Sequence, residues 1–231
     1  TTIGYYCNPI QYAEHRKTLE NVICTAGKFG ATHVSTFAGA WEGKPVESAY
    51  EEFGKVFREL ADLAEEKGVK LGIENCLMDG TWEHATCNIG FNPKAWEVMF
   101  EEVKNDNFGL EWEPTHQMVQ LIDPVTELRK WCKKIVHIHG KDATIDWDAV
   151  RHSGISGAVP FVWHRMPGFG DTNWRDIISI LRSNGYEDDI CIEGYHDPVY
   201  SGELEMTGQL HALNYLKWCR GGDFTPTPWE K

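Results

Sequence analysis

The chain has 231 residues, 42% of them hydrophobic and 25% charged, which is enough apolar chain to bury a core and excludes both disorder and a disulfide-dense miniprotein. Twenty-two Lys and Arg stand against 35 Asp and Glu, a formal net charge of −13 that disfavours nucleic acids and anionic membranes as partners. No apolar run approaches the ~20 residues a membrane-spanning helix needs, and seven irregularly spaced cysteines without a CxxC pair read as reduced thiols of a cytoplasmic protein.

Residues 1–6 and 31–37 read as strands. Over 46–67, Tyr50, Phe53, Phe57, Leu60 and Ala64 recur at three- and four-residue spacing and share one helical face, and Gly68 closes that helix. A strand over 69–75 follows. Asn92-Pro93 has the form of a helix start, with Trp96, Met99, Phe100 and Val103 as the buried face, and 108–113 is the next strand. Asp123-Pro124 opens a helix to about 133, before a strand over 135–139. The Gly- and Pro-rich stretch 152–170 reads as a long loop serving a site. A helix over 173–184, a strand over 189–193 and a helix over 202–218 complete the chain. With no linker-like stretch, this alternation predicts one α/β domain over 1–231, a parallel sheet with helical crossovers. Its architecture is of the TIM (β/α)8 type, with six of the eight βα units recognisable.

In such barrels chemistry sits at the C-terminal strand ends. Glu74 ends one strand, Glu113 another with His116 three residues beyond, His139 a third with His137 on the same parity, and Glu193 a fourth with His196 beyond. Singly, a strand-end Glu is more often a solvated or capping residue, and a strand His more often a hydrogen-bonded core residue. Together, three carboxylates at one barrel mouth repel and raise one another's pKa unless a cation compensates them. Three carboxylates and one imidazole suit Mn2+ or Mg2+, with Co2+ or Zn2+ as alternatives, better than copper. Cys76 and Cys191, near two strand ends, read as small buried hydrophobes.

Gly72-Ile-Glu-Asn75, Glu113-Pro-Thr-His116, His137-Ile-His-Gly-Lys-Asp142, Pro167-Gly-Phe-Gly-Asp171 with Trp174, and Ile192-Glu193 stand in that order. This series resembles the motifs of the xylose isomerase-like TIM barrel family, the sugar phosphate isomerases/epimerases and their relatives. The resemblance starts at the family's third strand, with Ile3-Gly-Tyr-Tyr6, and implies that the first two βα units are absent from this sequence. It implies Glu74, Glu113, His139 and Glu193 as metal ligands, and His116, Lys141 (followed by Asp142), Arg165 and His164 as substrate contacts. The family usually carries Asp where this chain has Glu113, which leaves Glu111, on the same strand parity, as a competing ligand.

The resemblance further implies a divalent-metal-dependent isomerase or epimerase of a sugar or sugar phosphate. Glu74 and Glu193 would be the catalytic pair, one removing a proton next to a metal-polarised carbonyl and the other returning one. A lyase of the inosose or dehydroshikimate dehydratase type shares the same motifs. An endonuclease IV-like phosphodiesterase is disfavoured by the net charge of −13 and by too few His and Asp ligands. A non-catalytic metal- or sugar-binding remnant is the remaining alternative, its open edge strands covered by a partner chain or in a homo-oligomer. Trp41, Trp82, Trp112 and Trp163 lie near strand ends and offer faces to a sugar, against ordinary packing as the plainer reading.

Overall fold

The computed structural model describes residues 1–222 and 225–227. Residues 223, 224 and 228–231, the tail of the single domain expected from the sequence, lie outside the described residues. In chain order the elements are β1 (Thr2–Gly4), α1 (Ala13–Ala26), β2 (His33–Thr36), α2 (Tyr50–Glu66) and β3 (Lys70–Glu74). Then come α3 (Pro93–Glu102), β4 (Phe108–Trp112), α4 (Pro114–Met118), α5 (Pro124–Trp131) and β5 (Ile135–Gly140). The chain continues through β6 (Asp142–Ile145), α6 (Trp147–Ser153), β7 (Val162–Arg165), α7 (Trp174–Ser183), β8 (Ile190–Ile192) and α8 (Glu205–Cys219).

All six strands expected from the sequence are present, and they form one sheet in the order β1-β2-β3-β4-β5-β8. Pairing is parallel from β1 to β5, with a register irregularity between Leu110 and Glu111. Contacts divide the chain into two compact units, Thr1–His139 with Asp188–Cys191, and Gly140–Glu187 with the described residues from Ile192 onward.

In the first unit α2 buries Phe53, Val56, Phe57, Leu60, Ala61 and Ala64, the face read from its spacing. Phe53 stacks on Phe57 at 4.6 Å between ring centroids, and Phe57 meets Phe108 of β4 at 5.9 Å. The side chains of Asn92 and Asp123 accept the N–H of Lys94 and Thr126, so both Asx-Pro pairs are working helix caps. A Cβ on Gly109 would collide with the Lys134 carbonyl, so β4 approaches the chain entering β5 more closely than any other residue allows. The helix α1 was not expected from the sequence: it buries only Leu19, Ile23 and Ala26, too thin a stripe to stand out among its polar residues.

In the second unit the stretch 152–170 is not the long loop expected from its Gly and Pro content. It contains the end of α6 and the strand β7, which pairs antiparallel with β6 through Asp142–Arg165 and Ala143–His164. Asp142 is fully buried and accepts the N–H groups of Ala143 at 2.8 Å, Gly168 at 3.2 Å and Thr172 at 3.0 Å. One carboxylate thereby fixes the whole Pro167–Asp171 turn. Among the described residues no helix is long and apolar enough to cross a membrane, and no disulfide joins the seven cysteines.

Candidate metal centre

Three neighbouring strands build the centre in the first unit. β3 ends on Glu74, the chain leaving β4 delivers Glu113 as the residue that caps α4, and β5 carries His139. The Nδ1 of His139 lies 3.1 Å from Glu74 Oε1 and 3.6 Å from Glu113 Oε2. Each of the three offers a ligand atom within 4.8 Å of the others. Both carboxylates are buried.

Two amides hold this geometry. Asn75 donates to the Glu113 carbonyl at 2.9 Å and accepts from the Glu113 N–H at 2.7 Å, tying the end of β3 to the end of β4. Asn88 donates to the Glu74 and Cys76 carbonyls at 2.9 and 2.8 Å, fixing the chain as it leaves β3. Both amides are fully buried, so neither bond competes with water. Asn75→Ala strands the Glu113 N–H and carbonyl and is expected to cost about 2–4 kcal/mol of stability in urea unfolding. Divalent-metal affinity, measured by titration calorimetry, should fall with it.

Crowded carboxylates pay an electrostatic penalty here. Burial raises the Glu74 carboxyl above the usual range and the Glu113 and Glu111 charges add to this, while a hydrogen bond with His139 opposes it. His116 places its Nε2 3.4 Å from Glu113 Oε1. The donor set, two carboxylates and one imidazole nitrogen converging on a shared space, fits a divalent cation, whose charge would offset that repulsion.

Glu111 faces a different space, where it, His137 and His139 offer a second set of potential ligand atoms within 4.8 Å of one another. Its Oε1 lies 3.2 Å from His139 Nε2, on the opposite edge of the ring from Glu74 and Glu113. Burial alone would raise the Glu111 carboxyl, but hydrogen bonding and charge from His139, with bonds from Ser35 and Tyr6, hold it below the usual range. Burial pushes the His137 imidazole down to about 4, so this ring is neutral at physiological pH.

The remaining expected site residues belong to the second unit. Glu193 follows β8, its N–H donating to the Gly140 carbonyl at 3.1 Å and its Oε1 accepting from Lys141 Nζ at 2.9 Å. Arg165 donates from Nε to Asp197 Oδ2 at 3.3 Å and lies over the Phe169 ring. His164 meets His196 edge to face at 5.6 Å. Sequence reasoning missed Asp197, whose signal was a lone Asp in His196-Asp197-Pro198 shortly after the last strand. Trp112 is buried and donates to Gln117 Oε1 at 2.9 Å, so it packs the core and offers no face to a sugar.

The family described as xylose isomerase-like TIM barrel matches residues 5–217. In sequence the chain is 26% identical over 182 residues to an inosose dehydratase of Clostridium tetani, covering 77% of this chain and 57% of that protein. The chain therefore spans little more than half the length of that relative. In structure it is similar to a D-psicose 3-epimerase solved in the presence of D-fructose, with a TM-score of 0.69 and 16% identity, over 96% of this chain and 78% of that one. It is also similar to the IOLI protein with a bound zinc atom, with a TM-score of 0.65 and 21% identity, over 94% and 72% of the two chains. At such identities these likenesses show the fold. The strand-end motifs, the parallel sheet and a match running over nearly all of the chain lead to one conclusion: it belongs to the xylose isomerase-like TIM barrel family, whose fold it has.

Proposed function

We propose that the chain carries the catalytic centre of a divalent-metal-dependent enzyme that removes a proton next to the carbonyl of a keto-polyol, a lyase of the inosose dehydratase type. The observation that carries this reading is the convergence of Glu74, Glu113 and His139 Nδ1 on one buried space. Several relatives matched in sequence bear the name inosose dehydratase, which favours a lyase. Epimerisation of a sugar or sugar phosphate is the second reading, supported by a likeness in fold to sugar epimerases. Proton abstraction begins both reactions.

A divalent cation at this centre, Mn2+, Mg2+, Co2+ or Zn2+, supplies Lewis-acid polarisation of the substrate carbonyl. Glu74, Glu113 and His139 would hold it, with Glu193 as fourth ligand by the Ile192-Glu193 motif. Glu74, at the end of β3 beside that space, would take the proton from the carbon next to the carbonyl. In an elimination the C–O bond on the next carbon then breaks and the hydroxyl departs as water with the proton that Glu74 removed, which restores the carboxylate. In an epimerisation Glu193, held by Lys141, returns a proton to the same carbon. His116, beside Glu113, and Lys141, Arg165 and His164 would bond the remaining hydroxyls or a phosphate.

The test is incubation of the metal-loaded chain with keto-inositols and ketoses in deuterated water. Loss of one water from a keto-inositol is the expected result. Deuterium at one carbon without loss of water would favour the epimerase, and neither change with any metal or substrate would overturn the proposal.

A further inference from the structure

The two edges of the His139 ring face different groups. Its Nδ1 points to Glu74 and Glu113 at 3.1 and 3.6 Å, while its Nε2 lies 3.2 Å from Glu111 Oε1. A cation held by Glu74 and Glu113 takes the lone pair of Nδ1, and a neutral imidazole then carries its single proton on Nε2. That N–H is inside the protein and needs an acceptor, and a carboxylate is the strongest one available.

Glu111 is itself held in place by a group from β2 and another from the chain just after β1. Ser35 of β2 donates to Oε1 at 2.5 Å, and Tyr6, just after β1, donates to Oε2 at 2.8 Å. Gly72 of β3 makes room for it, since a Cβ there would stand 3.2 Å from the Glu111 nitrogen and 3.3 Å from its Cβ. Glu111 is buried, and the Ser35 and Tyr6 hydroxyls aim its carboxylate. Glu111 also accounts for an acidic residue on β4 that the ligand set leaves unused.

We infer that Glu111 is a positioning residue, which fixes His139 in the tautomer protonated on Nε2 and so presents the Nδ1 lone pair to the cation. The inference rests on the metal-centre reading above. Glu111 would touch neither cation nor substrate and would act through the ring, raising its basicity and holding its orientation.

Two measurements test it. In the Zn2+-loaded chain, long-range 1H–15N correlation of labelled histidine should show His139 protonated on Nε2 and metal-bound through Nδ1. The opposite tautomer would overturn the inference without need of any variant. In calorimetric titration with Zn2+, Glu111→Gln should weaken binding about 10–100-fold while keeping one ion per chain. Tyr6→Phe, which leaves the Glu111 charge intact, should weaken it less. Unchanged Zn2+ affinity in Glu111→Gln, or two ions per wild-type chain with Glu111 as a ligand, would overturn the positioning role and leave the metal centre standing. Failure of the wild-type chain to bind Zn2+ would instead overturn the metal centre, and this role with it.

Discussion

Glu74→Gln is expected to remove most divalent-metal binding and to lower turnover by about 10²–10⁴-fold, the range for loss of a positioned proton acceptor. The two losses have separate readouts. At a metal concentration of 100 times its dissociation constant, wild-type chain should gain about 2.7 kcal/mol of stability, and the variant should lose nearly all of that gain. Without metal the sign reverses. The Glu74 carboxyl is raised in the folded state by burial and by Glu113 and Glu111, so the folded chain holds a proton over a pH window where the unfolded chain has released it. Wild-type stability without metal therefore falls as pH rises above the ordinary carboxylate range, and Gln removes that dependence. Urea unfolding in the presence of a chelator should find the variant more stable than wild type at pH 7, with the advantage shrinking towards pH 4. A variant that binds Zn2+ as tightly as wild type would show that Glu74 is no ligand.

The strand ends were legible in the sequence because parallel strands bury both faces, so a carboxylate or imidazole at the end of an apolar run is conspicuous. Glu74, Glu113 and His139 each stood out for that reason, and the structure brings the three together. The helix starts were equally plain: Asn92, Asp123 and Asn173 each accept a backbone N–H in the first turn, a local bond that local sequence can announce. What could not be read depended on distant partners. The place of Glu111 follows from the register shift between Leu110 and Glu111, through which Glu111 pairs with His137 of β5, and a bulge leaves no mark in residue spacing. The strand β7 exists through its pairing with β6, across the intervening α6, and its Gly- and Pro-rich flanks suggested only a loop. The helix α4 is five residues long, too short for periodicity to show, although it is what carries His116.

Asp197→Ala should be the most damaging single change in the second unit. The Asp197 side chain is fully buried, and its carboxylate accepts the N–H of Met166 at 2.7 Å and those of Val199 and Tyr200 at 2.8 Å each, besides Arg165 Nε at 3.3 Å. It ties the end of β7 to the turn that follows β8, and it holds the guanidinium proposed to reach substrate. Alanine leaves three amides and the half-buried Arg165 guanidinium without their acceptor, a loss of about 3–5 kcal/mol in which the amides dominate. Asp197→Asn keeps the shape and one acceptor oxygen and should lose less. The pH dependence has a definite sign. Burial alone would raise this carboxyl, but the N–H groups of Tyr200, Met166 and Val199 together with the Arg165 charge hold it below the usual range. A carboxyl lowered in the folded state contributes stability that is fully present above its unfolded value of about 3.9 and is lost as pH falls through the lower folded value. The difference in urea stability between wild type and Asp197→Asn should thus be constant from pH 5 to 7 and narrow below pH 4. If the difference is negligible at pH 7, Asp197 does not clamp this turn; if Asp197→Asn keeps stability but raises KM alone, its main service is to Arg165.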